Sequence, residues 1–171
     1  TKGNLIKWNP AIKSDSDRQA LREALKSGRI DVIATDHAPH TLEEKSHPYL
    51  KAPSGGPMVQ HSLVVMMELY RHGVISLENI AAKMCHNPAI IFGIKERGYI
   101  RKGYKADLVL VNPDSPWTVS KENILYKCGW SPLEGTKFSS SIHTTIANGV
   151  IVYENGRLTG NRAARKLQFI R

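Results

Sequence analysis

"DVIATDHAPHT", residues 31–41, is the stretch on which the reading of this chain turns. Val32, Ile33 and Ala34 run directly into Asp36, His37, Pro39 and His40. A continuously apolar middle is the pattern of a strand covered on both faces. Upstream, "SDRQALREALKSG" at 16–28 reads as a helix. Ser16 can cap it, Ala20, Leu21, Ala24 and Leu25 give it an apolar stripe, and Gly28 stops it. Helix, short loop and buried strand are the grammar of an α/β barrel or an open α/β sheet. A carboxylate at the tip of such a strand stands where barrels keep their chemistry. It can bind a cation and move protons. Pro39 keeps Ala38 extended, so His40 can face the same mouth as Asp36. Side chains of neighbouring residues diverge, which gives His37 a supporting role. Taken alone, an Asp-His-x-x-His cluster in a loop fits a structural or solvated role equally well.

Downstream, residues 36–57 carry Pro39, Pro48, Pro53 and Pro57 with Gly55 and Gly56. A connection this long is functional or disordered. Helices are expected over 58–73, ended by Gly73, over 76–87, opened by Ser76, and over 87–93, with Pro88 in first position. Past Gly93 the texture becomes β-rich. "ADLVLV" at 106–111 is a strand, and 141–158 alternates around Asn148-Gly149, a hairpin signal, with a second turn at Asn155-Gly156. A boundary near 94 separates 1–93, helix-rich α/β, from 94–171, β-rich.

Composition narrows the classes of function. The 171 residues are 41% hydrophobic and 23% charged, as in soluble globular proteins. No apolar run approaches the roughly 20 residues of a membrane span, and no signal peptide is visible. Two cysteines, Cys85 and Cys128, make no disulfide framework, which fits a reducing, cytoplasmic setting. The +9 charge is scattered, densest at 161–166, and is not interleaved with aromatics as in an RNA-binding motif. It reads as a solvated basic surface, with no nucleic-acid partner and no membrane.

The residues also carry a resemblance. "IDVIATDHAPHTLEEK" at 30–45 is similar to the last barrel strand and following loop of dihydroorotases, in the amidohydrolase superfamily. "KWNPAIK" at 7–13 resembles that family's Asn-Pro-Pro-Leu-Arg segment, and "KAPSGGP" at 51–57 its Ala-Pro-Phe-Gly loop. "NPAIIFGI", "GYIRKGYKADLVLVNP" and "CGWSPLEG" resemble its C-terminal tail. The resemblance implies the C-terminal portion of a TIM (β/α)8 barrel followed by part of a small β-sandwich domain. It implies a zinc-dependent enzyme of pyrimidine biosynthesis that reversibly hydrolyses the cyclic amide of dihydroorotate to N-carbamoyl-aspartate. Asp36 then falls on the strand-end aspartate that ligates metal and serves as general acid/base. His40 falls on the histidine that meets the substrate carboxylate, Asn9 on an asparagine that binds substrate, and Ser54 and Gly55 on a loop whose backbone faces the ring. Departures are Ala11, Lys13 and Ser54, so Gly55 carries over more securely than Ser54.

One part of the family pattern is missing. The metal ligands that such enzymes place on earlier strands, a His-x-His, a carboxylated lysine and further histidines, do not occur in this sequence. One carboxylate cannot hold a catalytic zinc, which takes about three protein ligands. The expectation is therefore one or two Zn2+ ions held mostly by an N-terminal part of the same enzyme, a homo-oligomer acting on a small molecule, and a half-barrel that exposes a sheet edge. The rival readings are an allantoinase or dihydropyrimidinase and a non-catalytic scaffold subunit.

Overall fold

The computed structural model describes residues 2–170. Helix α1 spans Asp15–Lys26. Its cap is Ser14 and not Ser16: the Ser14 side chain accepts from the Asp17 N–H, and the Asp17 carboxylate accepts from the Ser14 N–H at 3.0 Å. "SDSDRQ" offers two capping boxes, Ser14 with Asp17 and Ser16 with Gln19. The earlier one lengthens the helix and puts Asp15 and Asp17 at its positive end.

The run 31–35 forms no strand, contrary to the sequence reading. Val32, Ile33 and Thr35 are half-buried and Ala34 is exposed. Among the described residues its neighbourhood makes one β-bridge, parallel, between His37 and Gly56. The physical reason is that a ladder needs a neighbouring strand, and this run is held by helical residues instead. The Ile33 N–H donates to the Lys83 carbonyl at 3.1 Å, the Lys83 ammonium donates to the Ile30 carbonyl, and Asn87 donates to the Asp31 carbonyl at 2.7 Å.

The loop 36–57 is not structureless. It contains α2, Leu42–Ser46, closed by a capping box between Thr41 and Glu44. Helix α3, Ser62–Arg71, follows a 3-10 turn at Val59–His61. The two helices expected after Ser76 are one helical run: α4, Leu77–Ala81, a π-helical segment, Ala82–His86, and α5, Asn87–Ile91. Pro88 lacks an N–H and its ring crowds the preceding turn, and the widened π turn just before it accommodates both.

The β-rich part matches its sequence pattern more closely. Strands β1 (Leu108–Asn112), β4 (Ser141–Ala147), β5 (Val150–Glu154) and β6 (Arg157–Leu158) form an antiparallel sheet in the order β1-β4-β5-β6. β2 (Trp117–Thr118) and β3 (Lys137–Phe138) form a two-stranded ribbon. Asn148 and Gly149 have φ of 49° and 81°, and Asn155 and Gly156 have 48° and 84°. Both pairs thus have positive φ at the two central positions, the requirement of the tight hairpin turn that matches strand twist.

Helix α3 joins the two parts. Met66 and Met67 pack with Leu25, Ile75 and Ile80, while Val64 packs with Val119 and Phe138. Burying each such side chain contributes about 1.5–3 kcal/mol. The Glu68 carboxylate on the same helix accepts from the Ser139 N–H at 2.6 Å. Ile33 packs against the cluster that contains Met66 and Met67, so the segment 31–40 is tied to a helix that is itself fixed to the β-rich part. No helix among the described residues is long and apolar enough to cross a membrane.

Candidate active site

Three stretches distant in sequence meet at one place: 7–9, 36–40 and 53–56. The Gly55 N–H donates to the Lys7 carbonyl at 2.9 Å. The Ala38 N–H donates to the Gly56 carbonyl at 3.2 Å. The two glycines permit this approach. A Cβ on Gly55 would lie 2.5 Å from the Ala38 Cβ, and one on Gly56 would lie 2.5 Å from the Trp8 ring. Gly55 also has φ +108°, a conformation that L side chains rarely adopt. Trp130, almost fully buried, closes the arrangement from the β-rich side by donating its indole N–H to the His40 carbonyl at 2.8 Å.

Within this junction Asp36 has φ +46°. Aspartate is among the few residues that tolerate the left-handed region. Such conformations persist where surrounding structure enforces them, and they concentrate at functional sites. Here the turn ends the 31–35 run and leaves the Asp36 side chain exposed. His40 is half-buried, and its Nε2 lies 3.1 Å from the Ser54 carbonyl oxygen. A carbonyl only accepts, so the proton sits on Nε2. The other ring nitrogen, Nδ1, faces Glu44 Oε2 at 3.7 Å. Thr41 holds the Glu44 carboxyl below the usual carboxylate range through its N–H and hydroxyl. Asn9 is exposed, two residues beyond the Lys7 carbonyl that anchors Gly55. Of the five residues singled out from sequence, His40 and Ser54 touch directly. Gly55 joins them through its backbone, while Asn9 and Asp36 lie on the stretches that meet there, and their side chains make no hydrogen bond among the described residues.

His37 is a supporting residue, as read. Its Nδ1 accepts the Met58 N–H at 3.0 Å, and its ring packs 5.3 Å from that of Tyr126. Two residues carry weight that sequence reasoning missed. Lys45 is 1% exposed, and its ammonium donates to the carbonyls of Lys7 (3.3 Å), Pro53 (3.0 Å) and Gly55 (2.8 Å). Burial, and then the nearby Lys7 charge, push its pKa down. His61 is fully buried among Trp117, Tyr126 and Phe138. The Tyr126 hydroxyl takes the Gln60 N–H and lies 3.1 Å from His61 Nδ1. Burial lowers the His61 pKa to about 4 and raises that of Tyr126 to about 12. His61 is thus a neutral core histidine. The thin sequence signal for Lys45 was its place one residue after the Thr-x-x-Glu box.

Among the described residues no three His, Cys, Asp or Glu side chains gather in a group that could hold a metal ion. Asp36 offers one ligand, and the residues present do not complete a metal centre. A cavity of about 950 Å3 lies elsewhere, between the start of α3 and the sheet, lined by Val59, Val64, Trp117, His143 and Tyr153 among others. None of the five sequence-derived residues lines it.

Comparison with known proteins agrees with this architecture. The amidohydrolase family model matches residues 6–152, and the chain belongs to that family. It is 39% identical to the dihydroorotase of Clostridium acetobutylicum over 154 residues, covering 90% of this chain and 36% of that protein. It is 42% identical to the Halobacterium salinarum dihydroorotase over 133 residues, covering 78% and 32%. Among solved structures it resembles L-hydantoinase (dihydropyrimidinase) from Arthrobacter aurescens, with TM-score 0.84 and 29% identity, covering 91% of this chain and 36% of that one. Dihydropyrimidinase from Brevibacillus agri gives TM-score 0.85 and 26% identity, covering 92% and 36%. The chain spans about a third of the length of these relatives.

Proposed function

We propose that this chain supplies the proton-transferring and substrate-holding part of a dihydroorotase, a cytoplasmic enzyme of pyrimidine biosynthesis. The observation that carries the reading is the junction of 7–9, 36–40 and 53–56, where backbone hydrogen bonds and the His40–Ser54 contact bring together the stretches that bear Asn9, Asp36, His40 and Gly55. Dihydroorotate is a flat cyclic imide that bears a carboxylate. His40 donates to the carboxylate through Nδ1 as the imidazolium, with Nε2 kept on the Ser54 carbonyl. Asn9 and the Gly55 backbone match the amide edge of the ring. Asp36 accepts the proton of the attacking water and returns it to the leaving nitrogen, so that the ring opens to N-carbamoyl-aspartate. In the reverse direction the same carboxylate takes the nitrogen proton as the ring closes.

Zinc bound in such an enzyme supplies an acidified water and polarises the amide carbonyl. Asp36 would be one of its ligands, and the others would come from residues outside this chain's set. The same residues would supply the barrel strand that 31–35 lacks as a partner among the described residues, and the second face of a sandwich to which β1-β4-β5-β6 would belong.

Hydantoinase-type neighbours support a second reading, a hydrolase of cyclic amides without a ring carboxylate. His40 separates the two, because dihydrouracil and allantoin offer its imidazole no ring carboxylate. Hydrolysis of dihydroorotate, allantoin and dihydrouracil, measured side by side on the enzyme that contains this chain, decides. The proposal expects dihydroorotate alone to turn over efficiently. Turnover of dihydrouracil with no action on dihydroorotate would replace it with the second reading.

A further inference from the structure

We infer that Lys45 is a positioning residue, whose buried ammonium sets the Ser54 carbonyl against His40 by gripping the backbone on either side of it. The inference rests on the proposed function for its kinetic consequences and on geometry alone for its structural ones. Lys45 is 1% exposed, and among the described residues no carboxylate lies within ion-pair distance of it. An unpaired buried cation is costly unless its donors are all satisfied. Here the acceptors are three backbone carbonyls, those of Lys7, Pro53 and Gly55. Carbonyls only accept, so the amine is protonated with every N–H engaged. That excludes Lys45 as a nucleophile or base and leaves it a structural cation.

The placement of those carbonyls gives the cation a specific consequence. Pro53 and Gly55 flank Ser54, and the Ser54 carbonyl is the one that accepts from His40 Nε2. With the carbonyls on both sides turned toward Lys45, the one between them is free to point at His40. The third acceptor, the Lys7 carbonyl, also receives the Gly55 N–H and lies two residues before Asn9. One ammonium thus ties together the three groups proposed to contact substrate. Lys7 reinforces the outer part of the same loop by donating to the carbonyls of Tyr49 and Ala52, each at 2.6 Å. Among the described residues the Lys7 ammonium donates to neither Pro53 nor Gly55. Without the Lys45 charge, the Pro53 and Gly55 carbonyls would turn toward water, a motion that Gly55 permits, and His40 would lose its partner.

The test compares Lys45→Met and Lys45→Arg with the unaltered enzyme. The first readout needs no substrate: long-range 1H–15N spectra report the His40 tautomer, and hydrogen exchange reports protection of the Gly55 N–H. In the unaltered enzyme His40 is held with its proton on Nε2 and Gly55 is protected. In Lys45→Met, His40 samples both tautomers and Gly55 loses its protection. The second readout is kinetic. KM for dihydroorotate rises between about 10- and 100-fold in Lys45→Met while kcat stays within a few-fold, the pattern of lost binding geometry. Lys45→Arg, which keeps the charge but cannot aim at three convergent carbonyls, gives a smaller rise. If Lys45→Met does not fold, Lys45→Arg decides by the same two readouts. An unchanged His40 tautomer with unchanged KM overturns the inference. If no dihydroorotate is hydrolysed by the unaltered enzyme, the functional proposal fails, and the spectra still judge Lys45.

Discussion

Residues 31–35 and residues 141–158 both read as β-structure in the sequence, and they behave differently. The second stretch folds as written: β4, β5 and β6 pair with one another across two Asn-Gly turns. The first does not pair, and its apolar residues are only half-buried, tethered by Lys83 and Asn87. A hairpin carries its partner within about ten residues, so its register is a local property of the turn. A strand of the parallel type depends on neighbours far away in sequence. The lesson is that the part of this molecule with a self-contained code is the part without the candidate chemistry. The candidate chemistry lies where the fold depends on distant contacts.

The largest expected effect sharpens that contrast. Asp36→Asn lowers dihydroorotate turnover by about 10²–10⁴-fold, the range for losing a general acid/base, and leaves the circular dichroism spectrum unchanged. Asn148→Ala in the hairpin leaves kcat unchanged. A comparable loss in both variants would erase the distinction between the two regions.

Next comes acid stability, which probes the seam between the regions. His61 has a folded pKa of about 4 against an ordinary value of 6.5, because it is buried. Between those values the unfolded chain binds a proton on this imidazole and the folded chain does not. Stability is therefore full above pH 6.5 and falls as the pH drops toward 4, by up to about 3 kcal/mol. Urea denaturation at a series of pH values measures it, and the slope should become shallower between pH 6.5 and 4 in a folded His61→Phe variant.

Gly56→Ala has a smaller effect at the junction itself. Its Cβ would meet the Trp8 ring at 2.5 Å, so the contact between 7–9 and 53–56 must open, at a cost of about 1–3 kcal/mol read from the denaturation midpoint. Smallest is the stability cost of Asn155→Ala, about 1 kcal/mol, for placing alanine at φ 48° in the second turn. A larger loss there than at Gly56 would mean that the hairpin, and not the junction, is the more constrained region.

What could be read from sequence followed the same division. Both Asn-Gly turns, the helix stop at Gly73 and the cap at Ser76 were legible because each is a rule about four or five adjacent residues. The first helix cap was misplaced by two residues because Ser14 and Ser16 satisfy the same local rule. Asp36, His40 and the glycine loop were singled out by residue type and resemblance. Their means of support was not. Lys45 acts on carbonyls 8, 10 and 38 residues away, and backbone acceptors leave no mark in the sequence. His61 meets its aromatic neighbours across 56 residues and more, so its burial was equally hidden.

The central claim is that 7–9, 36–40 and 53–56 form one substrate-holding surface. A crystal structure of the enzyme containing this chain, with dihydroorotate or N-carbamoyl-aspartate bound, tests it most directly. The account expects the ligand carboxylate on His40, its amide edge on Asn9 and the Gly55 backbone, and its hydrolysable amide beside the Asp36 carboxylate. A ligand seated instead in the cavity lined by Trp117, His143 and Tyr153, with Asp36 and His40 untouched, would contradict it.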